Sequence, residues 1–213
     1  MKPALNPNLD YKALVRHGYD WCSERHAEAR GLEPPESLGL LTERVPDGAR
    51  VLDLGCGGGE PIAKSLADRF TVTGVDFSTE QIRRARERVP AATFRCCDVM
   101  DYIPEHIFDA VTAYYFLFHL PRADQFELIR RLGTWVKHGG LVLATTAESD
   151  EAPYTEEDFF GVTMYWTNWS RSKYEEVFQN AGFRMISVGA VGHGYRDGED
   201  SEHHPWLLAE RTR

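Results

Sequence analysis

The chain has 213 residues, of which 24 are Lys or Arg and 33 are Asp or Glu, giving a formal charge of −9. That balance argues against a nucleic-acid binder, which needs a basic face to neutralise phosphates. Hydrophobic residues at 42% describe one ordinary globular domain, with no apolar run near the roughly 18 residues of a membrane span and a charged Met1 to Asp20 where a signal peptide would be apolar.

Tyr11 to Ala29 reads as a helix carrying Leu14, Val15, Trp21 and Cys22, and the Pro34-Pro35 pair breaks the chain after it. From about residue 50 onward apolar runs alternate with amphipathic stretches, the pattern of an α/β domain. Strands are expected at Arg50 to Leu54, Thr71 to Val75, Thr93 to Cys97, Phe108 to Tyr114 and Leu141 to Thr146. Helices are expected between them at Glu60 to Ala67, Glu80 to Arg88 and Arg122 to Val136. Several of the strand runs are continuously apolar, as strands covered on both faces must be.

Ser78 can cap the second of these helices and Gln81 can complete a capping box, while the arginines of its body read as a solvated face. Glu148 to Asp158 reads as an acidic, irregular segment. A helix at Ser172 to Ala181 closes on Gly182, and strands at Phe183 to Val191 and Trp206 to Glu210 follow. Cys22, Cys56, Cys96 and Cys97 form no CxxC pair, which fits a reduced, cytoplasmic protein.

Val51 to Gly59 sets a hydrophobic strand directly before a glycine-dense turn that opens a helix. Glycine serves such a turn by adopting positive φ and by letting a ligand approach bare backbone. The spacing decides which ligand. A dinucleotide fingerprint, GxGxxG, fails from Gly55, where the sixth position is Glu60, and from Gly57, where it is Ile62. Glu60 would also oppose a pyrophosphate at the helix start, and Lys64-Ser65 lies too far from any P-loop frame.

What remains, Asp53-x-Gly55-x-Gly57-x-Gly59, resembles motif I of the class I S-adenosylmethionine-dependent methyltransferases. The resemblance extends to Asp76 after the second strand and to Asp98 after the third. It also covers Phe108 to Val111, Tyr115 to Pro121 and the Lys137-His138-Gly139-Gly140 loop, where His138 stands for the family's usual proline. It implies a Rossmann-like seven-stranded mixed sheet with the last strand antiparallel and helices on both faces, and S-adenosylmethionine as cofactor. Asp76 would accept the ribose hydroxyls and Asp98 the adenine amino group, with Phe77 and Val99 sandwiching the adenine. Asp53, Gly55, Cys56, Gly57, Gly59 and Tyr114 complete the expected cofactor site. In similar proteins a segment before motif I covers the cofactor, and Tyr11, His17 or Tyr19 could reach it here, Tyr19 being the one assigned.

The resemblance implies methyl transfer to O, N or S of a small-molecule acceptor. Its alternative is a protein that binds the cofactor without transferring methyl, because fold does not settle chemistry. His119, on the loop after the fourth strand, is the candidate general base or orienting residue. Tyr115, Tyr165, Trp166, Trp169 and His193 are candidates for an aromatic-lined acceptor pocket suited to a flat or cationic substrate. His193, His203 and His204 fit no common metal spacing, and no metal is expected. The expected division is an N-terminal helical cover at 1–45, a cofactor-binding core at 46–147 and acceptor-side insertions at 148–170 and 192–205. Neither nucleic acid nor membrane is an expected partner, and the state is monomer or homodimer.

Overall fold

The computed structural model describes residues 9–30, 32–191 and 204–212. Helices α1 (Tyr11–Arg30) and α2 (Ser37–Thr42) precede β1 (Arg50–Leu54), α3 (Ile62–Ala67), β2 (Thr71–Asp76), α4 (Thr79–Arg88), β3 (Thr93–Cys96) and β4 (Phe108–Ala113). A 3₁₀ turn at Leu117–His119 leads to α5 (Arg122–Trp135), β5 (Val136–Thr145), β6 (Glu151–Phe159), β7 (Val162–Asn168), α6 (Arg171–Asn180), β8 (Phe183–Val191) and β9 (His204–Arg211).

Among the described residues, seven strands form one sheet in the order β3-β2-β1-β4-β5-β9-β8. The first five are mutually parallel, and β9 runs antiparallel between β5 and β8. Val51, Leu52 and Leu54 of β1 are fully buried, between two apolar layers on opposite faces of the sheet. Each such side chain contributes roughly 1.5–3 kcal/mol by leaving water. The strand order reverses between β1 and β4, so the crevice of this open sheet lies at the carboxyl ends of those two strands.

The expected irregular segment after Thr146 is instead strand β6, paired antiparallel with β7 in a separate two-stranded sheet. Its acidic residues have low strand propensity, and pairing with β7 supplies the order they lack. This hairpin carries α1 over the carboxyl end of the large sheet: Met164 and Tyr165 of β7 pack on Val15, and Gly18 is small enough to admit Met164, whose Cε would stand 2.9 Å from an added Cβ. Strand β5 starts at Val136 rather than Leu141, with a register shift between Phe108 and Ala110 of the neighbouring β4.

At the start of α4, Ser78 Oγ accepts from Gln81 N–H at 3.1 Å, but the reciprocal half of the capping box is absent. Ser78 N–H donates to Asp76 Oδ1 (2.9 Å) instead. Asp20 of α1 completes the cap, its Oδ1 accepting from Ser78 Oγ–H (2.6 Å) and Glu80 N–H (3.1 Å). Of the α4 arginines, Arg83, Arg86 and Arg88 are exposed, Arg83 paired with Glu80 and Glu87 and Arg88 with Glu60, whereas Arg84 is covered and reaches Glu80 and Glu24.

Candidate functional site

A cavity opens at the carboxyl ends of β1 to β4 beneath α1, and it is lined by Asp53, Asp76 and Asp98 together with Gly55, Cys56, Gly57, Phe77, Val99 and Tyr114. Asp53 is buried; its Oδ1 accepts from the Thr112 hydroxyl at 2.7 Å, while its Oδ2 has no partner. Loss of water pushes its carboxyl up to about 7, against the opposing pull of Thr112. Asp76 accepts from Gly57 N–H (3.0 Å) and Ser78 N–H (2.9 Å), which ties the turn after β1 to the end of β2. Burial still raises its carboxyl to about 6, against those two backbone donors. Asp98 accepts from Met100 N–H (2.9 Å) and is ion-paired with Lys12 of α1.

The glycines of the turn differ in what they face. Gly57 has φ +51°, and a Cβ there would meet only Gln81 Oε1, at 3.8 Å, so the open space beside it is the cavity itself. Gly59 faces away: a Cβ would stand 3.2 Å from Ala85 Cα of α4. Its expected place in the cofactor site is therefore corrected to close packing of turn against helix, and it does not line the cavity, whereas Gly58 does.

His119 is 7% exposed and lines the cavity. Its Nδ1 stands 3.1 Å from the Tyr165 carbonyl, which can only accept, so Nδ1 carries the hydrogen and Nε2 accepts from the Tyr19 hydroxyl at 2.8 Å. Burial drives its imidazole down to about 4, the Tyr165 carbonyl pulls it up, and the Arg30 charge adds to the lowering. An imidazole lowered this far is neutral at pH 7, which favours the orienting role of the two that were expected.

Tyr115 lines the cavity, while Tyr165, Trp166 and Trp169 do not. Tyr165 packs its ring against Tyr11 (5.1 Å between centroids) and Trp166 backs His119 at 4.5 Å. Trp169 stacks on Phe126 at 5.0 Å with Arg122 over its ring, away from the cavity, because β7 ends before it and the chain has turned toward α5. His17 is exposed, and Tyr11 lines the cavity with its hydroxyl donating to Asp124. His193 and His203 lie outside the described residues.

Sequence reasoning missed Lys12, His26 and Arg30, all lining the cavity from α1. Spacing along one helix carried no signal of them. Among the described residues no group of three His, Cys, Asp or Glu side chains is placed to hold a metal, and no helix is long and apolar enough to cross a membrane.

Residues 51–140 match a family model described as a methyltransferase domain. The chain is 35% identical over 136 residues to 27-O-demethylrifamycin SV methyltransferase of Amycolatopsis mediterranei (strain S699), covering 59% of this chain and 48% of that protein. It spans between about half and two thirds of the length of the curated relatives it matches. Its fold is similar to that of Burkholderia thailandensis 1,6-didemethyltoxoflavin-N1-methyltransferase, solved with 1,6-didemethyltoxoflavin and S-adenosylhomocysteine bound. That match has a TM-score of 0.74 at 19% identity and covers 100% of this chain and 94% of the other. The [4+2]-cyclase SpnF shares the fold as well, with a TM-score of 0.64, 19% identity and 83% and 81% of the two chains covered. The matched stretch spans the glycine turn and the three acids that the sheet order brings into one crevice, and on these grounds residues 51–140 are a methyltransferase domain, within a chain of class I methyltransferase fold.

Proposed function

We propose that this chain transfers a methyl group from S-adenosylmethionine to oxygen, nitrogen or sulfur of a small-molecule acceptor. The observation that carries the reading is the orphaned Asp53 Oδ2, buried and turned to the same cavity as Asp76, Asp98 and the bare backbone of Gly57. A ligand ammonium would satisfy Asp53, and a site this acidic suits a cationic ligand better than a pyrophosphate. The cofactor therefore fits. Asp76 would hold its ribose hydroxyls, Asp98 its adenine amino group, and Phe77 and Val99 the adenine faces, with Gly55, Cys56, Tyr114 and Tyr19 around them.

When bound, S-adenosylmethionine supplies an electrophilic methyl on a sulfonium. What this chain must add is alignment and, for a protonated nucleophile, a place for the proton. His119 serves as a positioning residue: its tautomer, fixed by the Tyr165 carbonyl, makes Nε2 the acceptor that orients the Tyr19 hydroxyl. Turnover attributable to His119 is then flat from pH 6 to 9. His119→Asn, which keeps a donor toward Tyr165, should lose about three- to tenfold, the scale of one neutral hydrogen bond. His119→Ala should lose more. A loss of 10²-fold or greater in the Asn variant, with a wild-type rate that climbs through neutral pH, would reassign His119 as the general base.

The raised carboxyls give a second expectation. Their contribution to the stability of the ligand-free protein is full below the ordinary carboxylate range and lost as pH rises through about 6 for Asp76 and about 7 for Asp53. A cationic ligand favours the ionised forms, so binding releases protons and affinity for S-adenosylmethionine should fall as pH drops from 7.5 to 5.5. Calorimetry at pH 6.5 in two buffers of different ionisation enthalpy should give different heats; identical heats would contradict the placement of these acids against the cofactor.

Methyl transfer itself is tested by S-adenosylhomocysteine release with a mass gain of one methyl in a pool of phenols, amines, thiols and carboxylic acids. A rival reading, cofactor binding without transfer, is favoured by the fold shared with a cyclase. Tight cofactor binding with no methylated product from any pool would select it. In this reading the 1–45 segment is the cover, 46–147 the cofactor core, and 148–170 and 192–205 the acceptor side. Tyr165, Trp166 and Trp169 then act from behind or beyond the cavity wall. A cytoplasmic setting, a monomer or homodimer, and no nucleic-acid partner complete the proposal, in keeping with the acidic charge and the four free cysteines.

A further inference from the structure

Among the described residues strand β7 pairs with β6 alone, so the carbonyls on its other edge need donors from elsewhere. Two side chains supply them at Tyr165 and Thr167, which lie two positions apart and so share an edge. His119 Nδ1 stands 3.1 Å from the Tyr165 carbonyl, and Gln125 Nε2, near the start of α5, donates to the Thr167 carbonyl at 3.1 Å. Gln125 makes two further bonds. Its Nε2 also donates to the Leu120 carbonyl at 2.8 Å, and its Oε1 accepts from the Tyr174 hydroxyl at 2.7 Å. Gln125, Thr167 and Tyr174 are all fully buried.

A primary amide suits this place because it is neutral and carries two donors and an acceptor in one plane, and here all three are used. The two carbonyls it joins flank the His119 bond: Leu120 follows His119 in the chain, and Thr167 lies two residues beyond Tyr165. The separation of the His119 backbone from the Tyr165 carbonyl is therefore held by Gln125 as well as by the imidazole itself. With Nδ1 kept against that carbonyl, Nε2 is left to accept from the Tyr19 hydroxyl at 2.8 Å, at the wall of the cavity. An apolar side chain of equal bulk at 125 would fill the same space without joining the two backbones.

We propose that Gln125 is a positioning residue for His119, bridging the backbones on either side of the His119–Tyr165 bond and so fixing the imidazole as the Nδ1–H tautomer aimed at Tyr19. That the His119–Tyr19 pair faces a methyl acceptor rests on the methyl-transfer reading; the role of Gln125 does not, and it can be read without turnover. Magnetic resonance of the full-length protein carrying ¹⁵N-labelled histidine, loaded with S-adenosylhomocysteine at pH 7.5, separates a protonated ring nitrogen from an unprotonated one. The His119 signals are those lost in His119→Asn. Wild type should be predominantly Nδ1–H. Gln125→Met, similar in bulk but without the amide, should move the ratio of tautomers about three- to tenfold toward Nε2–H, the scale of one hydrogen bond. Gln125→Asn, an amide too short to span both carbonyls, should move it the same way, and it decides the matter if the Met variant does not fold. Tyr174→Phe removes a buried hydrogen bond from the same amide but leaves both donors in place; it should lower the unfolding temperature and keep the wild-type ratio. A folded Gln125 variant with the wild-type ratio overturns the proposal, as does a wild type that is not Nδ1–H. So does a Tyr174→Phe ratio that moves as far as that of Gln125→Met, since loosened packing would then account for both. Failure of the wild type to bind S-adenosylhomocysteine counts against the cofactor reading instead, and the same spectra of the unloaded protein then decide the role of Gln125.

Discussion

Replacing Asp76 with Ala is expected to weaken S-adenosylmethionine binding by about 10²- to 10⁴-fold. Two charge-assisted hydrogen bonds to ribose hydroxyls, at roughly 1.5–3 kcal/mol each, sum to that range. The same carboxylate accepts from the backbone of Gly57 and Ser78, so the substitution also frees the turn after β1 from the end of β2. Asp76→Asn separates the two contributions, because it keeps an acceptor for one backbone N–H while removing the charge; an intermediate loss is expected. Calorimetry on folded variants is the measurement, and unchanged affinity in Asp76→Ala would remove the ribose assignment.

Gly57→Val is expected to abolish detectable cofactor binding. Two physical effects act together there. At φ +51° a β-branched residue is strained, and its Cβ would project into open cavity space, where the nearest atom is Gln81 Oε1 at 3.8 Å. Gly48 supplies the control: it too has positive φ, +77°, with nothing within 4 Å of a built Cβ, and it does not line the cavity. Gly48→Val should carry a comparable torsional cost in thermal stability while binding cofactor normally. Binding retained by Gly57→Val would mean that the turn shapes the chain and does not contact a ligand.

Much of the site was legible because its residues sit in short, local patterns. A glycine turn after a buried strand can be read from spacing, the acids after the next two strands were picked out by the family resemblance, and β1 and β8 fall on their expected bounds. β6 was not legible: Glu151, Glu156, Glu157, Asp158 and Pro153 all argue against a strand, and only its partner β7 overrides them. Lys12 and Arg30 were illegible for a different reason. A charged residue on an amphipathic helix reads as solvated, and what each one touches comes from β3, β4 and the loops that follow them, more than 80 positions along the chain. Trp169 shows the converse, since clustering of aromatics along a sequence does not say which side of a strand or loop they leave from. His119 was found by position, but its neutrality depends on burial that no motif encodes.

Helix α1 touches both ends of the cavity, with Lys12 on Asp98 and Arg30 on Tyr115, 18 residues and roughly 27 Å apart along one continuous helix. A ligand that draws Asp98 away from Lys12 acts on the same rigid element that positions Arg30. Whatever free energy passes along the helix in one direction must pass equally in the other, so contact at Asp98 and contact at Arg30 are thermodynamically linked to the extent that either shifts α1.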